Sequence, residues 1–275
     1  MSVLESILYG LVSGLTEFLP VSSGAHQVLM RYLFGVDSRV PVQELLVHIG
    51  VLLAVFAGCK DVLFRLRTEQ RALQNSRRKR HRSDSKSYFD LRLLKTASVP
   101  LLLGLLLTIV TFRKENNMVM LIAFSLLNAL VLLLADHTSR GNRDSRTMSG
   151  LDGIVMGIAG ALSAFCGMSR TGMISAYTVA RGADGENVAN WTTLLAIPAM
   201  AFAICFDLVL LVIMGFMGMT FVAFLGYILS GAMAFVGAYL GISLLKLILN
   251  QNGFSGFAYY GIGMALFSFI LYLIT

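Results

Sequence analysis

The chain has 275 residues, 56% of them hydrophobic and only 13% charged, with a mean hydropathy of +0.75 and a formal net charge of +7. Soluble domains carry about a quarter charged residues, so this composition excludes a water-soluble globular enzyme and makes the lipid bilayer the solvent. The basic excess does not point to nucleic acid either, because twelve of the 22 Lys and Arg lie between Lys60 and Lys95 instead of covering a face.

The first ten residues carry Glu5 and neither Lys nor Arg, so they lack the basic region of a secretory signal and are expected to belong to the fold. Residues 3–35 are apolar but broken at Leu19-Pro20-Val21-Ser22-Ser23-Gly24. Pro20 has no N–H and biases Leu19 away from helical geometry, while Ser22 and Ser23 are good N-caps for a restarting helix. Each half is too short to cross about 30 Å of hydrocarbon at about 1.5 Å per residue, so the region is expected to form a re-entrant helical hairpin. A spanning stretch follows at 42–59, then a basic loop at 60–92 with Arg77, Arg78, Lys79, Arg80 and Arg82 at its centre. Further spans are expected at 93–112 and 118–135, joined by the short connection Arg113 to Asn117. The loop 136–149 is again basic, with Arg140, Arg143 and Arg146.

Residues 151–181 repeat the broken pattern, here at Cys166-Gly167-Met168-Ser169-Arg170-Thr171-Gly172, with Ser169 and Thr171 as capping residues. Three more spans are expected at 190–214, 220–249 and 256–275. The fold expected is thus all-α: one polytopic membrane domain over 1–275 with six spanning helices plus two re-entrant hairpins. The two basic loops are separated by two spans and fall on one side, which the positive-inside rule makes cytoplasmic; the connection 113–117 and both termini then lie outside.

The two breaks align with each other. An offset of 147 places Gly10 on Gly157, Leu15 on Leu162, Phe18 on Phe165 and Ser22 on Ser169, and an offset of 146 places Cys59 and Asp61 on Cys205 and Asp207. Three spans separate the units, so halves 1–135 and 150–275 are expected to form an inverted repeat with a site near the midplane. Cys59, Cys166 and Cys205 lack CxxC spacing and indicate neither disulfides nor zinc. Gly226, Gly237 and Gly241 leave room for close helix contacts, within one chain or between copies.

Ionisable groups at membrane depth are functional candidates by default, and here these are Glu17, His26 and Arg170, beside Ser22 and Ser23. Restarting helices expose N–H groups at their positive dipole ends, and Arg170 adds a fork of donors; together they suit a phosphate or diphosphate. The plainer alternative pairs Arg170 with Glu17 as structural glue. His48, one span further on, is either a packed histidine or a base.

The segment Gly14 to Ser23, followed by His26, resembles the first signature of the undecaprenyl-diphosphate phosphatase family. Gly167 to Gly172 resembles its second signature, and Leu194-Leu195-Ala196-Ile197-Pro198 a later apolar motif. The resemblance covers the whole chain in order and spacing. It implies removal of the terminal phosphate of a C55 polyprenyl diphosphate, the carrier lipid of cell-wall synthesis, at the outer face of the bacterial cytoplasmic membrane. It implies catalytic roles for Glu17, His26, Ser23 and Arg170, with Ser23 or a water as nucleophile and Glu17 or His26 as base. Ser22, Gly24, Ser169, Thr171, Gly172, Ser13 and His48 are the expected substrate contacts. Mg²⁺ or Ca²⁺ is implied by the family alone. The chain departs from the family pattern at Ser13, where an acidic or amide residue is usual, and at His48, Val51, Cys166 and Asn190. These departures keep open a non-hydrolytic polyprenyl-phosphate transporter on the same fold.

Overall fold

A computed structural model of the protein describes residues 1–36, 38–76, 86–114, 116–138, 141–215, 219–251 and 253–274. The basic run at 77–82 and Arg140 lie outside them. The described residues form thirteen α-helices. In chain order these are α1 (Val3–Phe18), α2 (Ser23–Leu33), α3 (Pro41–Gly58), α4 (Lys60–Ser76), α5 (Lys86–Leu105) and α6 (Thr108–Thr111). They continue with α7 (Met118–Asp136), α8 (Gly150–Ala161), α9 (Arg170–Ala180), α10 (Gly185–Leu194), α11 (Ala196–Met214), α12 (Phe221–Gln251) and α13 (Ser255–Ile274).

Six helical stretches are long and apolar enough to cross a membrane: Pro41–Gly58, Phe89–Lys114, Met118–Asp136, Gly185–Met214, Phe221–Asn250 and Ser255–Ile274. Large apolar side chains such as Val212, Phe221 and Ile274 point away from the protein, as a lipid-facing surface requires. The chain is a multi-pass, all-helical membrane protein.

Helix α1 starts in a capping box: the Ser2 hydroxyl accepts from the Glu5 amide, and the Glu5 carboxylate accepts from the Ser2 amide. At 16 residues it is about 24 Å long, short of a crossing.

The sequence misjudged two stretches. The expected loop 60–92 holds α4 and the first turn of α5, because hydropathy marks where the chain leaves the bilayer and not where a helix ends. The expected single span 190–214 begins at Gly185, capped by Asp184, and is two helices joined at Leu195. Pro198 lies in the first turn of α11 and offers no N–H to the Leu194 carbonyl, so the helix restarts there.

Glycines decide how the helices pack. Helix α1 lies along α12 so closely that a Cβ on Gly10 would sit 2.0 Å from the Ser230 carbonyl oxygen, and one on Gly237 2.2 Å from that of Leu11. Helix α8 lies along α5 in the same manner, with a Cβ on Gly157 2.1 Å from the Ala97 oxygen. Gly237 and Gly241 therefore serve packing within the chain. Such contacts replace the hydrophobic driving force that helices lack in lipid. Helix α7 packs on α13, and α3 sits against both α11 and α12.

Gly10→Val and Gly157→Val should each lower the melting temperature in detergent, since overpacking costs typically about 1–3 kcal/mol. Gly263→Val, where an added Cβ meets nothing within 4 Å, should leave it unchanged.

Candidate functional site

The two helix breaks hold each other. After α1 the backbone extends at Leu19, and Ser22 caps α2, its hydroxyl accepting from the Ala25 amide at 3.2 Å. After α8 a 3₁₀ turn runs to Ala164, Phe165 extends, and Ser169 caps α9, accepting from the Gly172 amide at 3.0 Å. Between them Gly167 adopts φ +109°, where a Cβ would also strike the Leu121 oxygen at 2.7 Å.

Across the two breaks, the Gly167 amide donates to the Ser22 hydroxyl at 3.1 Å, and the Ser169 hydroxyl donates to the Leu19 carbonyl at 3.3 Å. The Thr171 hydroxyl donates to the Glu17 carbonyl at 2.8 Å. Asn128 of α7 ties both, donating to the Pro20 carbonyl at 3.3 Å and accepting from the Ser169 amide at 2.9 Å. The unwound backbone thus finds its partners inside the protein, as buried N–H and C=O groups require.

At this junction the Ser23 hydroxyl donates to Glu17 Oε2 at 2.5 Å, and Arg170 Nη2 lies 3.1 Å from Glu17 Oε1. Arg170 is 4% exposed, yet none of its three nitrogens makes an aligned hydrogen bond to a described residue. Its guanidinium stands 5.8 Å from the centre of the Phe18 ring. A buried guanidinium with unused donors is costly unless an anion completes it. The glue alternative is therefore half right: the pair exists, and it leaves most of the fork unspent.

A cavity of about 170 Å³ opens at this point, and Glu17, Ser23, Gly24, Ser169, Arg170 and His48 line it. Other expected site residues stand elsewhere. Ser22, Thr171 and Gly172 are spent on caps and cross-links of the breaks and do not line the cavity. Ser13, one turn before Glu17, is 2% exposed with an unpaired hydroxyl and also lies outside the lining.

His26 is turned away as well. Its Nδ1 lies 2.6 Å from the Ser22 carbonyl, which can only accept, so Nδ1 donates; Nε2 then accepts from the Tyr260 hydroxyl at 2.6 Å. With both nitrogens engaged and the ring stacked on Tyr260, His26 braces the start of α2 against α13, and Glu17 is the group that meets Ser23.

Sequence reasoning missed several charged neighbours. Arg39 Nη2 donates to Asp207 Oδ1 at 2.8 Å, and His48 Nδ1 lies 2.6 Å from Asp207 Oδ2. Arg31, also at the cavity, lies with Nη1 3.4 Å from Glu44 Oε1 and donates to Tyr9 at 3.2 Å, while Tyr9 donates to Glu44. Asp207 and Asn128 each sit alone in an apolar span, a signal that the rule used for Glu17 would have caught.

Asn128→Ala leaves the Pro20 carbonyl and the Ser169 amide without this partner. Thermal unfolding should show a loss of about 1–3 kcal/mol, the usual cost of stranding buried polar groups. An unchanged midpoint would mean the breaks do not depend on that bridge.

Comparison with known proteins places the chain in a family. The family described as bacitracin resistance protein BacA matches residues 6–267. A relative from Maricaulis maris (strain MCS10) is 31% identical over 280 residues, covering 98% of this chain and all of the relative. Relatives from Idiomarina loihiensis (strain ATCC BAA-735 / DSM 15497 / L2-TR) and Prochlorococcus marinus (strain MIT 9312) are each 27% identical, covering 99% and 98% of this chain and 100% and 97% of their own. All three carry the name undecaprenyl-diphosphatase. With its profile matched almost from end to end and its two breaks meeting at one buried arginine, the chain belongs to the BacA family.

Proposed function

We propose that the protein hydrolyses undecaprenyl diphosphate, or a similar polyprenyl diphosphate, to the monophosphate and phosphate, recycling a lipid carrier of cell-wall synthesis. The observation that carries this reading is the buried Arg170 guanidinium, paired with Glu17 through Nη2 alone, beside a Ser23–Glu17 hydrogen bond of 2.5 Å at the cavity.

In this mechanism Glu17 takes the proton of Ser23 as Oγ attacks the terminal phosphorus. The bond to the bridging oxygen breaks, Glu17 passes the proton to that oxygen, and the prenyl monophosphate leaves, which frees Glu17 as a base again. Arg170, with the N-termini of α2 and α9, stabilises the charge on the equatorial oxygens. A water then attacks the phosphoserine, passing its proton to Glu17, and Ser23 Oγ leaves and is reprotonated. The Ser23–Glu17 pair favours hydrolysis over a transporter, which needs no activated hydroxyl.

The implied Mg²⁺ or Ca²⁺ does not find a donor set here. Glu17 is the one carboxylate among the described cavity residues, both its oxygens are occupied, and no cluster of three metal-ligating residues occurs among the described residues. No step above uses a metal.

For the architecture, the reading is one membrane domain whose halves 1–135 and 150–275 form an inverted repeat, each entered by a re-entrant hairpin. Three observations support it. Gly10 and Gly157, equivalent in the alignment, each meet a helix carbonyl, on α12 and α5 respectively. Ser22 and Ser169, also equivalent, both cap a restarting helix. Each also bonds across to the other break. The orientation follows from the basic loops: bacterial cytoplasmic membrane, both termini outside, and the cavity opening outward. Lys114, within the connection 113–117 read as outward, is among the residues that line it.

Purified protein in detergent should release phosphate from a short-chain prenyl diphosphate. Glu17→Gln and Ser23→Ala should each lower kcat by about 10²-fold or more, and Arg170→Ala by about 10²-fold or more. Full activity of the Glu17→Gln protein would remove the assigned base. Tight binding with no turnover in the wild type would favour the transporter.

A further inference from the structure

The cavity has a second polar group that the mechanism above leaves idle. Asp207 is fully buried in α11 and does not line the cavity, whereas its two partners, Arg39 and His48, both do. One carboxylate oxygen accepts from Arg39 Nη2 at 2.8 Å and the other meets His48 Nδ1 at 2.6 Å, so Asp207 fixes the orientation of both side chains from behind.

With Nδ1 turned to Asp207, the Nε2 edge of His48 is the one left to the cavity. Arg39 already balances the charge of Asp207, and His48 adds a donor that can carry a further proton. Packing alone would not call for an imidazole at the wall of this cavity with a carboxylate and a guanidinium beside it.

This pole is separate from the reacting one. Arg39 and His48 bond to Asp207, while Ser23 and Arg170 bond or pair with Glu17, and the two sets share one cavity. A diphosphate ester also has two poles, the phosphoryl group that is transferred and the one that stays on the lipid.

Resting on the proposed function, we infer that Arg39 and His48, held by Asp207, bind the phosphate that remains on the prenyl chain and so select a diphosphate over a monophosphate or free phosphate. Both act as donors to non-reacting oxygens, so they contribute to substrate binding in the ground state and the transition state alike. That predicts an effect on KM and not on kcat.

The test uses the full chain in detergent with farnesyl diphosphate as substrate and inorganic phosphate as competitive inhibitor. His48→Gln keeps an amide donor for Asp207 and loses the cavity-facing nitrogen; Arg39→Gln removes the other donor. Each should raise KM about tenfold, as expected for one lost hydrogen bond to a charged group, with kcat nearly unchanged and the Ki of inorganic phosphate unmoved. A fall in kcat with KM unchanged would place these residues at the reacting phosphorus and overturn the assignment. So would unaltered KM in both variants, or a matching rise in the Ki for phosphate. If Ser23→Ala is inactive while both variants behave as wild type, the subsite alone fails. If wild type releases no phosphate, the proposed function fails and the subsite with it.

Discussion

A break in a helix strands N–H and C=O groups that need partners wherever water cannot reach them, and this structure supplies those partners by facing one break with another. The Ser22 hydroxyl takes the amide of Gly167, the Ser169 hydroxyl gives to the carbonyl of Leu19, and Asn128 serves both sides. Neither interruption would be tolerable alone, since each stranded group costs several kcal/mol in hydrocarbon. Close packing of α1 on α12 and of α8 on α5, with glycines against carbonyl oxygens, holds the helices that lead into the two breaks.

The same solution builds the chemistry. Restarting helices at Ser23 and Arg170 bring two N-termini to one point, and the residues that begin them are the hydroxyl and the guanidinium of the site. Glu17 closes the constellation from the last turn of α1. Structure and function use different serines within one dipeptide: Ser22 is consumed by backbone, which leaves Ser23 facing the cavity.

Much of this was legible in the sequence, for particular reasons. Leu19-Pro20 and Gly167 are backbone signals that act locally, so the positions of both breaks could be read directly. The six spans follow from length and hydropathy. Partnership across the fold could not be read. The family resemblance implied that His26 could be a base, but Tyr260, 234 residues away, engages its Nε2. Ser13 looked like a weakened ligand because it precedes Glu17 by one turn, yet that turn directs it into packing beyond the cavity lining. Asp207 gained its meaning only when α11 came against α3 and brought it to His48 and Arg39.

Three arginines line the cavity, and each pairs with an acid: Arg31 with Glu44, Arg39 with Asp207 and Arg170 with Glu17. Pairing of this kind lets cations stay buried before any substrate arrives, because an uncompensated charge there would be costly. The Arg170 pair differs from the other two in that its acid lines the cavity and is hydrogen-bonded to a hydroxyl, that of Ser23, that lines it too. In the proposed mechanism Glu17 becomes neutral when it takes the proton of Ser23, and Arg170 loses its counter-charge at that moment. The phosphoryl oxygens gain negative charge in the same step and can replace it. In that mechanism proton transfer and anion stabilisation are coupled through a single carboxylate, so one cavity acid, with Ser13 where the resemblance leads one to expect a second, would serve both.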